Sequence, residues 1–208
     1  LDLDPERAVR QFESSNFTFL FAPAYNPAIA HVQPVRKALG VSTLFNTMGP
    51  LLSPARPEFQ IMGIANPAQG QLIAETMREL GRGRAMVVHG AGTDELAIHG
   101  ESQIWELDRD GTITHTTVSP EELGLARHSL EDLRGGDGAA NAAAMRATFA
   151  GEGPQAHRDA VAATAGAMFY LYGTTDTIAD GVQHALALLA DATVHTWLRR
   201  HEEADYSA

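Results

Sequence analysis

Two kinds of apolar spacing alternate along this chain. Residues 59–65 (FQIMGIA) and 84–89 (RAMVVH) are short, nearly continuous apolar runs and read as buried strands. Between them Leu72, Ile73, Met77 and Leu80 recur at helical steps over residues 67–80, and Gly81 stops the pattern. Strand, helix, strand at this spacing predicts a right-handed parallel crossover, with ligands expected beyond the carboxyl ends of the strands. Residues 96–99, 103–107 and 112–118 read as further short strands, the last two joined through Asp108-Arg109-Asp110-Gly111, where Asp-Gly is a strong hairpin cue. From Ser119 the pattern turns helical: a short turn around 129–133, then helices near 139–150, 155–172 and 177–201. The fold class predicted is α/β, a mostly parallel sheet flanked by helices.

The first quarter of the chain is more broken. Asp4-Pro5-Glu6 starts a helix with Val9 and Phe12 on its apolar face, because Asp accepts at the N-cap and Pro suits the first turn. Residues 17–21 (FTFLF) read as a strand between Asn16 and Pro23. The residues before Pro23 and Pro27 are pushed out of the α region, which predicts Tyr25 and Asn26 displayed on a loop. Ile29, Val32, Val35 and Leu39 then form a helical stripe that Pro34 kinks and Gly40 ends, with Arg36 and Lys37 in its last turn.

Composition narrows the function classes. The formal net charge is −11 over 208 residues, which argues against a general nucleic-acid surface and requires a local basic site for any anionic substrate. Cysteine is absent, so there is neither a disulfide framework nor a thiol nucleophile, and a reducing cytoplasm is compatible. The longest apolar run, residues 160–172, is too short to span a bilayer, and the charged start LDLDPERAVR does not read as a signal peptide. A chain beginning at Leu1 is expected to be an N-terminally shortened product.

Among candidate chemical groups, Asp94 and Glu95 stand out. Neighbouring carboxylates on a loop after a strand can turn toward one point, and Mg²⁺ takes such hard oxygen ligands together with substrate phosphates and water. The guanidinium of Arg36 offers a planar fork that matches a carboxylate, although a cation in a last helical turn is also favoured by the helix dipole alone. His89, His99 and His115 lack metal-ligand spacing and read as structural. Gly135-Gly136-Asp137-Gly138 follows no strand and lacks a Lys-Ser/Thr ending, so it reads as the lead into a helix. No acid, base or nucleophile is identified.

The series FLFAP, PVRKALG, FNTMGPL and SPA, followed by VVHGAGTDELAIHG and AMRATFAGEG, resembles the anthranilate phosphoribosyltransferase family in the same order and over essentially the whole chain. The resemblance implies a nucleoside phosphorylase-like α/β domain, with about residues 23–57 left from a small helical domain or hinge. It implies transfer of phosphoribosyl from phosphoribosyl pyrophosphate to anthranilate in tryptophan biosynthesis, a cytoplasmic setting and a homodimer when full length. It places Arg36 and Pro50 on the anthranilate side, and Asp94 and Glu95 on the Mg²⁺ that accompanies the pyrophosphate. Asn26 stands near the anthranilate channel where many members have histidine, and Ser42 and Ser53 stand where arginine and asparagine are common. The family's G-T-G-G-D and K-H-G-N segments are not in this sequence, so little or no activity is expected of the chain alone. Two alternatives remain: an enzyme like pyrimidine nucleoside phosphorylase, or a non-catalytic partial domain.

Overall fold

The computed structural model describes residues 4–26 and 44–202. The chain divides into two compact units, residues 1–57 with 199–208 and residues 58–198.

In the first unit, helix α1 (Pro5–Ser15) begins as its sequence predicts. The Asp4 side chain accepts from the Arg7 N–H at 2.9 Å, Pro5 occupies the first turn, and Asn16 closes the helix in the left-handed region. Residues 17–21 form neither strand nor helix, which corrects the reading of FTFLF. Among the described residues no neighbouring strand offers a ladder, and Phe17, Phe19 and Phe21 are 47, 47 and 37% exposed, so the alternation turns its aromatic side outward. The loop expected at Tyr25 and Asn26 is instead a short helix, α2 (Ala22–Tyr25), whose end Asn26 caps through its backbone N–H and through Nδ2, both donating to the Ala22 carbonyl. Helix α3 (Leu44–Leu51) contains Pro50. The helix expected over residues 29–39, with Arg36 and Lys37, lies outside the described residues, as does Ser42.

The second unit is built on strands β1 (Phe59–Gly63), β2 (Arg84–Gly90), β3 (Ser102–Leu107) and β4 (Ile113–Val118), in the order β1-β2-β3-β4. Phe59 pairs with Arg84 in parallel, across the predicted crossover through helix α4 (Gly70–Glu79). The other two pairings are antiparallel. The α/β class holds, while the parallel character is confined to β1-β2 among the described residues. Residues 91–101 carry no helix that could return the chain for a parallel pairing, and the Asp-Gly turn brings β4 straight back. Residues 96–99 are not a strand: Leu96, Ala97 and Ile98 are buried in an irregular segment. Their apolar run reported burial correctly but not ladder bonding, since the Ala97 N–H donates to Ser102 Oγ at 2.8 Å.

Helices cover both faces of the sheet. Helix α4 lies on Trp105, close enough that a side chain on Gly70 would overlap the indole, and Trp105 stacks on His115 with ring centroids 4.4 Å apart. On the other face, Met86, Val88 and Ile104 pack with Ala162, Ala163, Ala167 and Leu171 of helix α6 (Gln155–Tyr172) and with Val182 and Ala185 of helix α7 (Ile178–Ala190). Helix α5 (Gly138–Phe149) precedes them, capped by Asp137. The single helix expected over 177–201 is two, α7 and α8 (Thr193–Glu202), because Ala192 turns to a φ of 60° between them. The Arg84 guanidinium donates to the Tyr170 and Leu171 carbonyls at 3.1 and 3.0 Å and to Glu106 Oε1 at 2.7 Å, so a cation satisfies the last turn of α6 and ties it to the sheet.

Helices α6 and α7 cross at Gly166 and Gly181, where a Cβ on either residue would overlap the backbone of the other helix. Gly166→Ala is therefore expected to destabilise the fold by about 1–3 kcal/mol. Gly138→Ala, in open space at the start of α5, should leave stability equal or raised. Denaturant midpoints of the two variants check this.

Candidate metal and substrate site

The parallel pair β1-β2 ends at Gly63 and Gly90, and the chain beyond β2 folds back over both ends. Ala91 and Gly92 adopt φ values of 46° and 92°, and Thr93 closes the reversal by exchanging backbone hydrogen bonds with Gly90 and donating its Oγ1 to the Gly90 carbonyl at 2.7 Å. This brings the Asp94 carbonyl into the space a Gly63 side chain would fill, and the Glu95 carbonyl with the Ala97 N–H into that of Gly90. A Gly inside the apolar run FQIMGIA was a readable sign of such close backbone approach, and Gly63 is a site residue that motif reading passed over.

Residues 94–98 then divide by chemistry. Asp94 and Glu95 are exposed, whereas Leu96, Ala97 and Ile98 sink into the core. The buried half is held by hydrogen bonds: Ala97 N–H to Ser102 Oγ, and the His128 N–H to the Ile98 carbonyl, each at 2.8 Å. Ser102 is 1% exposed and was not singled out by any motif. The result is a rigid base carrying two carboxylates at the carboxyl end of a parallel strand pair, where ligands of open α/β sheets bind.

Electrostatics at the pair favour a cation. Although its side chain reaches solvent, partial desolvation by the atoms around it raises the Glu95 pKa above its ordinary 4.5, and the Asp94 charge raises it further. Among the described residues no Arg, Lys or His forms an ion pair or hydrogen bond with either carboxylate. Nor do three metal-ligating side chains gather anywhere among those residues. Two un-neutralised carboxylates with little protein coordination around them suit Mg²⁺, which keeps most of its shell for water and phosphate. The residues present therefore fit that ion.

The other predicted site residues belong to the first unit. Asn26 is half-buried with its amide turned onto the end of α2, and Pro50 is exposed within α3. Arg36 lies outside the described residues. An apolar recess of about 830 Å³ in the same unit is lined by Val9, Phe12, Phe17, Leu20, Tyr25 and Pro54 among others. Of the histidines read as structural, His89 Nδ1 meets the Ile64 carbonyl at 2.9 Å, His99 Nε2 lies 3.3 Å from the Ala91 carbonyl, and His115 stacks on Trp105. The Gly135–Gly138 stretch leads into α5, with Asp137 accepting from the Ala140 N–H and Asn141 clamping Gly136. No helix among the described residues is long and apolar enough to cross a membrane.

A parallel strand pair ending in an acidic loop, with helices over both faces of the sheet, is an α/β arrangement whose ligand edge lies at the strand ends. The chain belongs to the glycosyl transferase family, a/b domain, whose model matches residues 1–194. Among individual relatives it is 70% identical, over all 208 of its residues, to an anthranilate phosphoribosyltransferase of Corynebacterium aurimucosum. It spans 60% of that relative's length. A crystal structure of anthranilate phosphoribosyltransferase from Thermus thermophilus superimposes with a TM-score of 0.88 at 40% identity, over 96% of this chain and 59% of the other. The Saccharomyces cerevisiae enzyme in complex with PRPP and Mg shares the fold, with a TM-score of 0.82 at 20% identity, over 96% of this chain and 56% of that one.

The raised Glu95 pKa fixes the sign of a pH effect. Its folded-state pKa lies above the unfolded value, so the ionised carboxylate disfavours the fold above that folded pKa, and the cost disappears below the unfolded value. Glu95→Gln should therefore raise stability at pH 7 by no more than about 1 kcal/mol, because the group is solvent-screened. The gain should vanish at acid pH, below 4.5. Thermal melts of both proteins across pH, without divalent ions, measure it.

Proposed function

We propose that the chain is the metal-binding and acceptor-side portion of an anthranilate phosphoribosyltransferase, joining anthranilate to phosphoribosyl pyrophosphate with release of pyrophosphate in tryptophan biosynthesis. The observation that carries the reading is the exposed Asp94-Glu95 pair on a fixed loop at the end of the parallel strands, in a chain 70% identical to a relative of that name. A full enzyme of this kind holds more polypeptide, since the chain spans 60% of the relative.

In this reading Asp94 and Glu95 would hold the Mg²⁺ that accompanies the pyrophosphate group. The ion, when bound, offsets the negative charge that builds on the leaving pyrophosphate. Desolvation, and after it the Asp94 charge, raise the Glu95 pKa, and a cation held there would oppose both effects. The Arg36 guanidinium receives the anthranilate carboxylate in a paired, charge-assisted contact, and Pro50 and Asn26 line the acceptor path. Asn26 has no titratable group, so proton transfer from the amine falls to solvent or to substrate oxygens rather than to that side chain. The amine nitrogen bonds to the ribose anomeric carbon as the bond to pyrophosphate breaks. No covalent protein intermediate is needed, and positioning with charge stabilisation supplies most of the rate. We assign about residues 23–57 to the small helical domain, and the working enzyme to a cytoplasmic homodimer.

Two variants of a polypeptide of the relatives' full length, one double and one single, test the roles separately. Asp94→Asn with Glu95→Gln should lower turnover by roughly 10²-fold and raise the Mg²⁺ concentration required. Unchanged Mg²⁺ dependence would remove the metal role. Arg36→Ala should raise the anthranilate KM by about 10- to 100-fold, the value of a lost charge-assisted bond, with a smaller change for phosphoribosyl pyrophosphate. Steady-state kinetics with each substrate varied in turn distinguish the two patterns.

A further inference from the structure

Asp159 is a carboxylate only 1% exposed, placed on the buried stripe of α6 among alanines. A buried carboxylate is costly unless its oxygens are bonded, and here both are: Oδ1 accepts from Gln155 Nε2 at 2.6 Å, and Oδ2 lies 2.7 Å from His128 Nε2. Packing alone does not call for such a residue, since the neighbouring α6 positions are filled by Ala156, Ala162 and Ala163. What the carboxylate achieves is a grip on residue 128. That residue lies in an irregular stretch, residues 125–129, with no ladder or helix of its own to fix it.

His128 faces two ways. Its ring meets α6, and its backbone N–H donates to the Ile98 carbonyl at 2.8 Å. Ile98 is fully buried at the inner end of the segment whose outer end displays Asp94 and Glu95, and Ala97 beside it is tied to Ser102. A continuous path of hydrogen bonds thus runs from Asp159 through His128 to the base of the acidic loop. We infer that Asp159 and His128 are positioning residues, which hold residues 95–98 down on Gly90 and so set the aim of the two carboxylates. The metal part of this inference rests on the reading of Asp94 and Glu95 given above; the positioning part does not.

Backbone amide hydrogen exchange on this chain separates positioning from general stability. The Ala97 N–H reports the loop and the Val87 N–H reports the centre of β2. His128→Ala should speed exchange at Ala97 by roughly tenfold relative to Val87, the factor expected for loss of a supporting hydrogen bond. His128→Gln, which keeps a side-chain donor for Asp159, should restore most of the protection. Should His128→Ala fail to fold, Asp159→Asn is read by the same ratio. Equal acceleration at Ala97 and Val87, with no rescue by Gln, would overturn the proposal. Binding of Mn²⁺ with inorganic pyrophosphate should weaken about 10-fold or more in the His128→Ala chain, as for outer residues that orient metal ligands; unaltered binding there would sink the claim that the aim of the carboxylates matters. Asp94→Asn with Glu95→Gln serves as the reference: if that double change leaves Mn²⁺ binding intact while the exchange ratio shifts as expected, the metal reading fails and the positioning role stands.

Discussion

The close approach of residues 94–97 to the ends of β1 and β2 governs the second unit's chemistry. It requires Gly at positions 63 and 90, because carbonyl and amide groups of the loop occupy the volume of their missing side chains. With the backbone held there, Leu96, Ala97 and Ile98 have to point into the core and Asp94 and Glu95 have to remain outside. Glu95, partly desolvated and then opposed by the Asp94 charge, has a raised pKa and disfavours the fold slightly when ionised. Such local conflict, kept in place by a well-packed surrounding, is characteristic of sites whose ligand completes the charge balance. In a chain of net charge −11, an anion approaching this edge of the sheet meets uncompensated negative charge unless a cation accompanies it.

The sheet itself shows how far spacing carries. Strands at β1 and β2, the helix between them and the Asp-Gly hairpin were legible because each has a local cause: an apolar run, a helical stripe, or a turn residue that only one geometry suits. The strands misread at 17–21 and 96–99 share a different cause. An apolar run states that a segment prefers to leave water, but strand pairing depends on what lies alongside, and that is a property of the folded chain. At Phe17–Phe21 no partner strand is present among the described residues, and at Leu96–Ile98 a serine hydroxyl replaces the ladder. The break between α7 and α8 was invisible for a related reason, since Ala192 carries no mark of the left-handed turn it adopts.

The candidate site was legible in its charged residues and illegible in its supports. Asp94 and Glu95 announce themselves as adjacent carboxylates after a strand, and the family resemblance assigns them an ion. Ser102, His128 and Asp159 carry no motif, because their roles arise from contacts across residue separations of 5 to 31. A lone serine at the start of a strand or an aspartate within an alanine-rich helix has many structural uses, and only the hydrogen-bond partners select one. Gly63 lies between these cases: its interruption of an apolar strand was visible, while the identity of the group that approaches it was not.

The small-residue crossing of α6 and α7 links the fold to the loop. Gly166 and Gly181 let the two helices approach until backbone meets backbone, and that depth sets where the face of α6 stands over the sheet. Asp159 lies seven residues before Gly166 on the same helix, and both are buried on it, so its position is fixed by a rigid element whose far end is tied down by Arg84. A carboxylate on a helix anchored by that crossing and by Arg84 can fix a residue in an irregular segment, which a carboxylate on a loop could not do. The stability of the helical layer and the aim of the acidic pair are in this way one constraint, transmitted by packing as far as Asp159 and by hydrogen bonds from there to Ile98.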